Sequence, residues 1–307
     1  MFAIIGIVIV FGAIVGGYLM ERGNLMVLVQ PAELLIIGGA ALGTMLVANP
    51  LPVIIRIFKG FTGVFLPSPF SKPFYLQHLK MLNELFHYAR KNGAVKLEAD
   101  IEEPHKSALF KNYPGFLKNH HALYFVCDTL RMYISGGVGS FELDQMMELD
   151  MEVHHQSASV PVASLTTIAD SLPGLGIVAA VLGVVITMGA LGGPPEEIGH
   201  KVAAALVGTF LGILLCYGFV GPLASNMGKL NDAEAQFYHC LRVAVNAFIR
   251  GSAPILAIEF ARRTIPAELR PTFQEMEQYC KRGGAAPAPG AAGGAAPEPA
   301  AAGKESK

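Results

Sequence analysis

The chain has 307 residues, with a net charge of −1, 52% hydrophobic residues and only 15% charged ones. A near-zero charge gives no electrostatic case for a nucleic-acid partner. So high an apolar share with so few charges disfavours an ordinary soluble domain.

Four stretches lack Asp, Glu, Lys, Arg and His: Phe2–Met20, Leu34–Ile55, Ser171–Pro195 and Val202–Gly228. A bilayer core needs about 20 apolar helical residues. Four transmembrane helices are therefore expected. Phe2–Met20 reads as a span rather than a secretory signal. No basic region precedes it, and no small-residue cleavage site follows. Of the 23 Lys and Arg, 11 lie in 56–131 and 10 in 229–307, leaving Arg22 and Lys201 in the two short links. Basic residues mark the cytoplasmic side. Both termini and the long middle segment are thus expected in the cytoplasm.

The chain then divides as 1–55 (spans one and two), 56–165 (a cytoplasmic helical domain), 166–228 (spans three and four) and 229–283 (a further cytoplasmic helical region). In the middle segment, Leu79, Leu82, Phe86 and Ala89 recur at helical spacing. Ser71 is the expected N-cap, Pro73 falls in the first turn and Gly93 marks the stop. Leu117–Ser135 and Phe141–Gln156 also read as helices, the second capped by Ser140. No alternating strand pattern of useful length appears. The expected class is all-α, polytopic, with a helical cytoplasmic domain. Segment 284–307 is nearly all Ala, Pro and Gly up to residue 303. It cannot bury enough surface to offset its ordering entropy, and reads as a disordered tail. The four cysteines show no paired spacing and are expected as free thiols.

Each span carries small residues four apart: Gly12 and Gly16, Gly39 and Gly43, Ala179 and Gly183, Gly208 and Gly212. That spacing permits close helix approach in lipid. It serves either packing within one bundle or packing between copies or around a partner helix. No carboxylate stands mid-span, with Glu33 and Asp170 at span edges. A proton-conducting protein normally needs an intramembrane acid. Either the chain conducts nothing or a partner helix supplies the acid.

The polar groups within the spans are Thr44, Ser171, Thr187, Thr209 and Tyr217. A hydroxyl there commonly bonds back to its own helix, and Thr209, inside the Gly208–Gly212 pair, is the best exception. Pro173 and Pro222 each remove a helix hydrogen bond. Each reads as a static kink, or for Pro173 a helix start, or as a hinge passing movement to the cytoplasmic domain. Asp170 serves as an edge acid on an ion path or as a helix cap.

Gly174, Gly176 and Ala179 match a dinucleotide fingerprint, but Pro173 rather than a strand precedes them. Adjacent His120–His121 and His154–His155 point their rings apart on a helix, so metal binding is not expected. No hydrolase, metalloprotease or phosphate-loop motif occurs. No enzyme activity, cofactor or metal is expected.

Three segments carry a resemblance: Gln30–Gly38, Asp170–Ala180 and Val207–Pro222, with Glu268–Phe273 behind them. Together they resemble the motility protein A (MotA) family of the bacterial flagellar stator, over residues 1 to about 275. The resemblance implies a homopentamer in the cell inner membrane around two copies of MotB. That partner brings one transmembrane helix with a proton-binding aspartate, and a peptidoglycan-binding domain. It implies that Pro173 and Pro222 flank the ion path. It also implies that Arg90 and Glu98 contact the rotor switch protein FliG. In the family's sodium-driven branch a hydroxyl stands where Ala180 is, so the resemblance implies protons. The polar groups themselves lead to the expectation that Thr209 and Tyr217 lie along the path, with inward release near Asp170. The related TolQ/ExbB-type energy transducers are the alternative. They typically have three spans and an outward N-terminus. A secondary transporter would need a mid-membrane binding site and repeated halves, and neither is evident. A purely structural scaffold is a further alternative.

Overall fold

The computed structural model describes residues 2–281 except 190, 191 and 193. The 284–307 tail lies outside the described residues. Fourteen α-helices and one π-helical turn are seen among them, and no strand. In chain order they are α1 (Phe2–Met20), α2 (Leu25–Leu28), α3 (Pro31–Ala48), α4 (Leu51–Val64), α5 (Lys72–Asn92), α6 (Ala94–Glu102) and α7 (Ala108–Lys111). There follow α8 (Pro114–Lys118), α9 (His120–Ser135), α10 (Ser140–Met188), α11 (Pro195–Leu215), a π-turn (Cys216–Val220), α12 (Gly221–Ile249), α13 (Pro254–Thr264) and α14 (Phe273–Lys281).

Four helical segments are long and apolar enough to cross a membrane. The second apolar stretch is not one helix, however. α3 stops at Asn49, which is extended because Pro50 follows. α4 then runs as a separate amphipathic helix. It buries Ile54, Ile57 and Val64 against Leu165, Leu223 and Met227, and its Arg56 and Lys59 are exposed. Asn49 anchors the break, since Ser164 Oγ donates to its Oδ1 at 2.6 Å.

The charged helix expected at Phe141–Gln156 and the third span form one 49-residue helix, α10, containing Pro161 and Pro173. Its N-cap is Gly139 rather than Ser140. The fourth span likewise continues through the π-turn into α12. Two continuous rods therefore join the apolar layer to the polar helices. The helix expected from Leu117 is divided at Asn119, whose side chain caps α9 by accepting from Ala122 N at 3.1 Å.

α5 has Ser71 at its N-cap position, though the Ser71 side chain makes no capping hydrogen bond, and Pro73 in its first turn; Gly93, where φ is +80°, is its C-cap. Leu79, Leu82 and Phe86 are fully buried. Burying each stabilises by roughly 1.5–3 kcal/mol. They join α9, α12 and α13 in one core, where Phe86 stacks on Phe248 at 4.3 Å. Arg242 of α12 ties to Asp144 and Glu148 of α10 at 2.7 and 3.3 Å, holding the two rods together beyond the apolar layer. All four cysteines are free.

Candidate ion path and rotor-facing surface

α10 and α11 form an antiparallel hairpin built on small residues. A methyl group on Gly176 would lie 2.8 Å from Gly208 O, and one on Gly183 would lie 2.7 Å from Ala205 Cβ. Larger residues there would force the helices apart. Two of the four small-residue pairs thus meet within one chain. By contrast, a methyl group on Gly12, Gly16, Gly39 or Gly43 would have nothing within 4 Å. Those two pairs lie on faces that this chain alone leaves uncovered.

The expected path residues fall into two stripes. On α10, Asp170, Pro173, Ile177 and Ala180 recur at helical spacing. Asp170 is exposed, and Pro173 and Ala180 are half-buried. On the other rod the stripe is Thr209, Ile213, Tyr217 and Pro222. The last step spans five residues, which one π-turn accommodates. Each stripe lies about a quarter-turn from the glycine seam. In an antiparallel pair this places both on the same side. Tyr217 is 72% exposed, so this side is open in the single chain. Its surface is apolar and hydroxyl-bearing.

The π-turn has a local cause. Pro222 has no N–H, and in an α-helix its ring would collide with the carbonyl four residues back. The wider turn, closed by Gly221 N donating to Cys216 O, relieves that contact. Pro222 and Tyr217 share a cavity of about 210 Å³ with Ala3, Gly6 and Val10 of α1. Pro173, in contrast, sits inside unbroken helix.

Thr44, Ser171 and Thr187 donate to their own helices, at Ala41 O, Ile168 O and Gly183 O. Thr209 is half-buried, and its hydroxyl is not tied back in this way.

Two features escaped sequence reasoning. Glu33 reads as an edge residue but is only 7% exposed. Its Oε2 is buried without a hydrogen-bond partner. It reaches the α10–α11 seam from the side opposite the stripes: a methyl group on Gly208 would lie 2.6 Å from Oε2. The glycines that admit it were visible, but not that they faced one another. Second, one histidine from each adjacent pair meets the other. His121 stacks on His154 with centroids 3.9 Å apart, beside Asp150 and Glu234. Burial and the neighbouring His154 hold His121 below its ordinary value. Among the described residues no group could hold a metal ion.

Arg90 and Glu98 are both exposed, on α5 and α6. Arg90 is not merely solvated. Its Nη2 donates to Gly251 O and Ser252 O at 2.8 and 3.0 Å, closing the turn after α12.

Comparison with known proteins places this architecture. Residues 4–93 match the family described as Motility protein A N-terminal. Residues 118–238 match the MotA/TolQ/ExbB proton channel family. The chain is 40% identical to Motility protein A of Escherichia coli (strain K12) over 92% of this chain and 95% of that one. It is 34% identical to Chemotaxis protein LafT of Vibrio parahaemolyticus, over 90% and 96%. The fold matches the C. jejuni MotAB structure with a TM-score of 0.71, at 18% identity, covering 87% of this chain and 96% of that one. It matches the flagellar MotAB stator complex of Bacillus subtilis with a TM-score of 0.69, at 24% identity and the same coverage. Four apolar helices, two rods continuing into a helical domain, and these similarities over most of the chain lead to one assignment: the chain belongs to the motility protein A family, within the MotA/TolQ/ExbB proton channels.

Proposed function

We propose that the chain is a stator subunit of the bacterial flagellar motor, coupling proton flow to torque on the rotor. The observation that carries this reading is the open paired stripe on α10 and the α11–α12 rod. It offers Thr209 and Tyr217 hydroxyls and two prolines, and its only acid, Asp170, stands at one end. Such a surface suits a partner helix that brings its own acid. The solved relatives are named MotAB complexes, which supports MotB as that partner.

In this reading a proton enters from outside and neutralises the partner's aspartate. The contact between that helix and the stripe then changes, the ring steps, and the proton leaves inward near Asp170. Pro173 and Pro222 are the hinges that pass the step into α10 and α12. Both rods continue into the helical domain, so a change in either reaches Arg90 and Glu98, the proposed contacts with FliG. Ala180 offers no oxygen to a dehydrated sodium ion, which needs several, so the coupling ion is the proton. The proposed assembly is a pentamer in the inner membrane with cytoplasmic termini. The proposed divisions are 1–55, 56–165, 166–228, 229–283 and 284–307. Nothing in this work cycle requires enzyme activity.

Deleting the gene and scoring swimming tests the role. Loss of swimming with flagella still assembled is expected, and unchanged swimming overturns it. In a variant without native cysteines, labels placed at Leu25 and Lys111 test orientation. Lys111 labelling from outside the cell overturns the topology.

A further inference from the structure

Glu33 is the one carboxylate among the described residues that sits at a glycine seam between spans. It rises from the first turn of α3 and is more than nine-tenths buried, with an unpartnered Oε2. Its oxygens approach Gly208 of α11 and Gly183 of α10, at 2.6 and 3.6 Å from where methyl groups on those glycines would lie. Ala180 N lies 3.2 Å from that same position on Gly208. Thr209 is the next residue. The carboxylate therefore stands directly behind the Ala180–Thr209 end of the open stripes, with only a glycine-thinned wall between.

Among the described residues no cation is paired with it. α10 carries no ionisable residue between Ser171 and Met188. α2 carries none either. On α11 the titratable groups before Ala205 are Glu196, Glu197, His200 and Lys201, and Lys201 is paired with Glu197 at 2.8 Å. The turn between α1 and α2 adds Glu21 and Arg22, both exposed. An ionised carboxylate without a partner carries a large desolvation cost, which a bound cation removes. The seam it reaches is built from Gly183, Ala205, Gly208 and Ala179, none of which brings a polar side chain, and Thr187 spends its proton on Gly183 O. A metal cation would lack oxygen ligands there. A proton needs none beyond the carboxylate.

We propose that Glu33 is a proton-holding site of this chain, collecting protons from the outer face and passing them through the Gly208 gap toward Thr209. The step is a simple transfer: Oε2 takes a proton from water, then yields it to water beside Thr209, and the carboxylate is regenerated. The inference rests on the stator reading.

The test uses a host lacking its own motility protein A, given this chain with its own MotB-type partner. Single-motor speed is read at external pH from about 5.5 to about 8.5, with the total proton-motive force held constant. Collection matters most where protons are scarce. Glu33→Gln should run at half the wild-type speed or less at the alkaline end and converge with it at the acid end. Glu33→Asp should recover most of the loss. A Glu33→Gln motor equal to wild type at every pH overturns the proposal. Rotation absent with the unaltered chain overturns the stator reading instead. Labelled stators are counted at the motor in parallel. If the Gln variant fails to assemble, infrared difference spectra of the wild-type complex decide. A carboxyl band that titrates in this range, and that moves in Glu33→Asp, supports the site. A pH-invariant spectrum overturns it.

Discussion

Gly176 and Gly212 stand backbone to backbone where the third and fourth spans cross. A methyl group on Gly212 would lie 2.9 Å from Gly176 Cα and 2.6 Å from Leu172 O; one on Gly176 would lie 3.1 Å from Gly212 Cα. The contacting atoms are backbone, so no side chain can turn aside to make room. This contact fixes how the two proposed path stripes are spaced.

Gly212→Ala should therefore force α10 and α11 apart, at a cost of roughly 1–3 kcal/mol. Gly174→Ala is the control, since a methyl group there has nothing within 4 Å. Thermal unfolding in detergent should show a lower Tm for Gly212→Ala and no loss for Gly174→Ala. Equal Tm values would mean the seam is looser than described.

The prolines should act through the backbone. Pro222→Ala restores an N–H and removes the ring that the π-turn accommodates. The rod can then tighten to an α-helix, turning the Tyr217 stripe relative to α12. Pro173→Ala gives Ala169 O back its helix partner. Each variant should assemble and keep MotB yet lose most swimming speed. Normal swimming in both would remove the hinge from the account.

Arg90 and Glu98 should separate in their effects. Arg90→Glu breaks the two bonds to Gly251 O and Ser252 O. Hydrogen bonds from charged donors are worth about 1.5–3 kcal/mol, though exposure reduces that here. Arg90→Glu should lower both stability and torque. Glu98→Lys should lower torque alone, and a compensating reversal on FliG should partly restore it. Unchanged torque in Glu98→Lys would place the rotor contact elsewhere.

His78 should make the helical domain acid-sensitive. It is buried among Phe74, Phe116 and Phe237, and its Nδ1 pairs with Phe74 O at 2.7 Å. Burial lowers its pKa from 6.5 to about 4. The unfolded chain therefore binds more protons between these values. Stability is full above about 6.5 and falls as pH drops toward about 4, by roughly 3 kcal/mol. His78→Phe should flatten this slope in unfolding measured at pH 7 and pH 5. An unchanged slope would assign the acid sensitivity to other groups, His121 and His239 among them, both also held low by burial.

The spans were legible because absence of charge over 19 or more residues is a property of composition alone. Their ends were less so. The break at Asn49 had a cue in Pro50, yet the apolar run continues to Ile55 and hides it. The 49 residues of α10 divide by polarity where the surroundings change, while the backbone does not divide at all. Pro173 and Pro222 look alike in sequence, but only Pro222 follows a π-turn. Glu33 and the His121–His154 stack depend on which faces meet across more than 30 residues of chain, and spacing within one helix carries no such information. The proposed rotor contacts, Arg90 and Glu98, came from family resemblance; the bond from Arg90 to the α12 turn did not.

Rotation speed tests proton-driven torque most directly. A host without its own motility protein A, carrying this chain and its own partner, is tethered by a flagellum. Rotation should appear, fall in proportion as an ionophore collapses the proton-motive force, and stay constant when external sodium is removed at fixed voltage and pH gradient. Rotation that stops with sodium removal, while the proton-motive force is intact, would contradict the account.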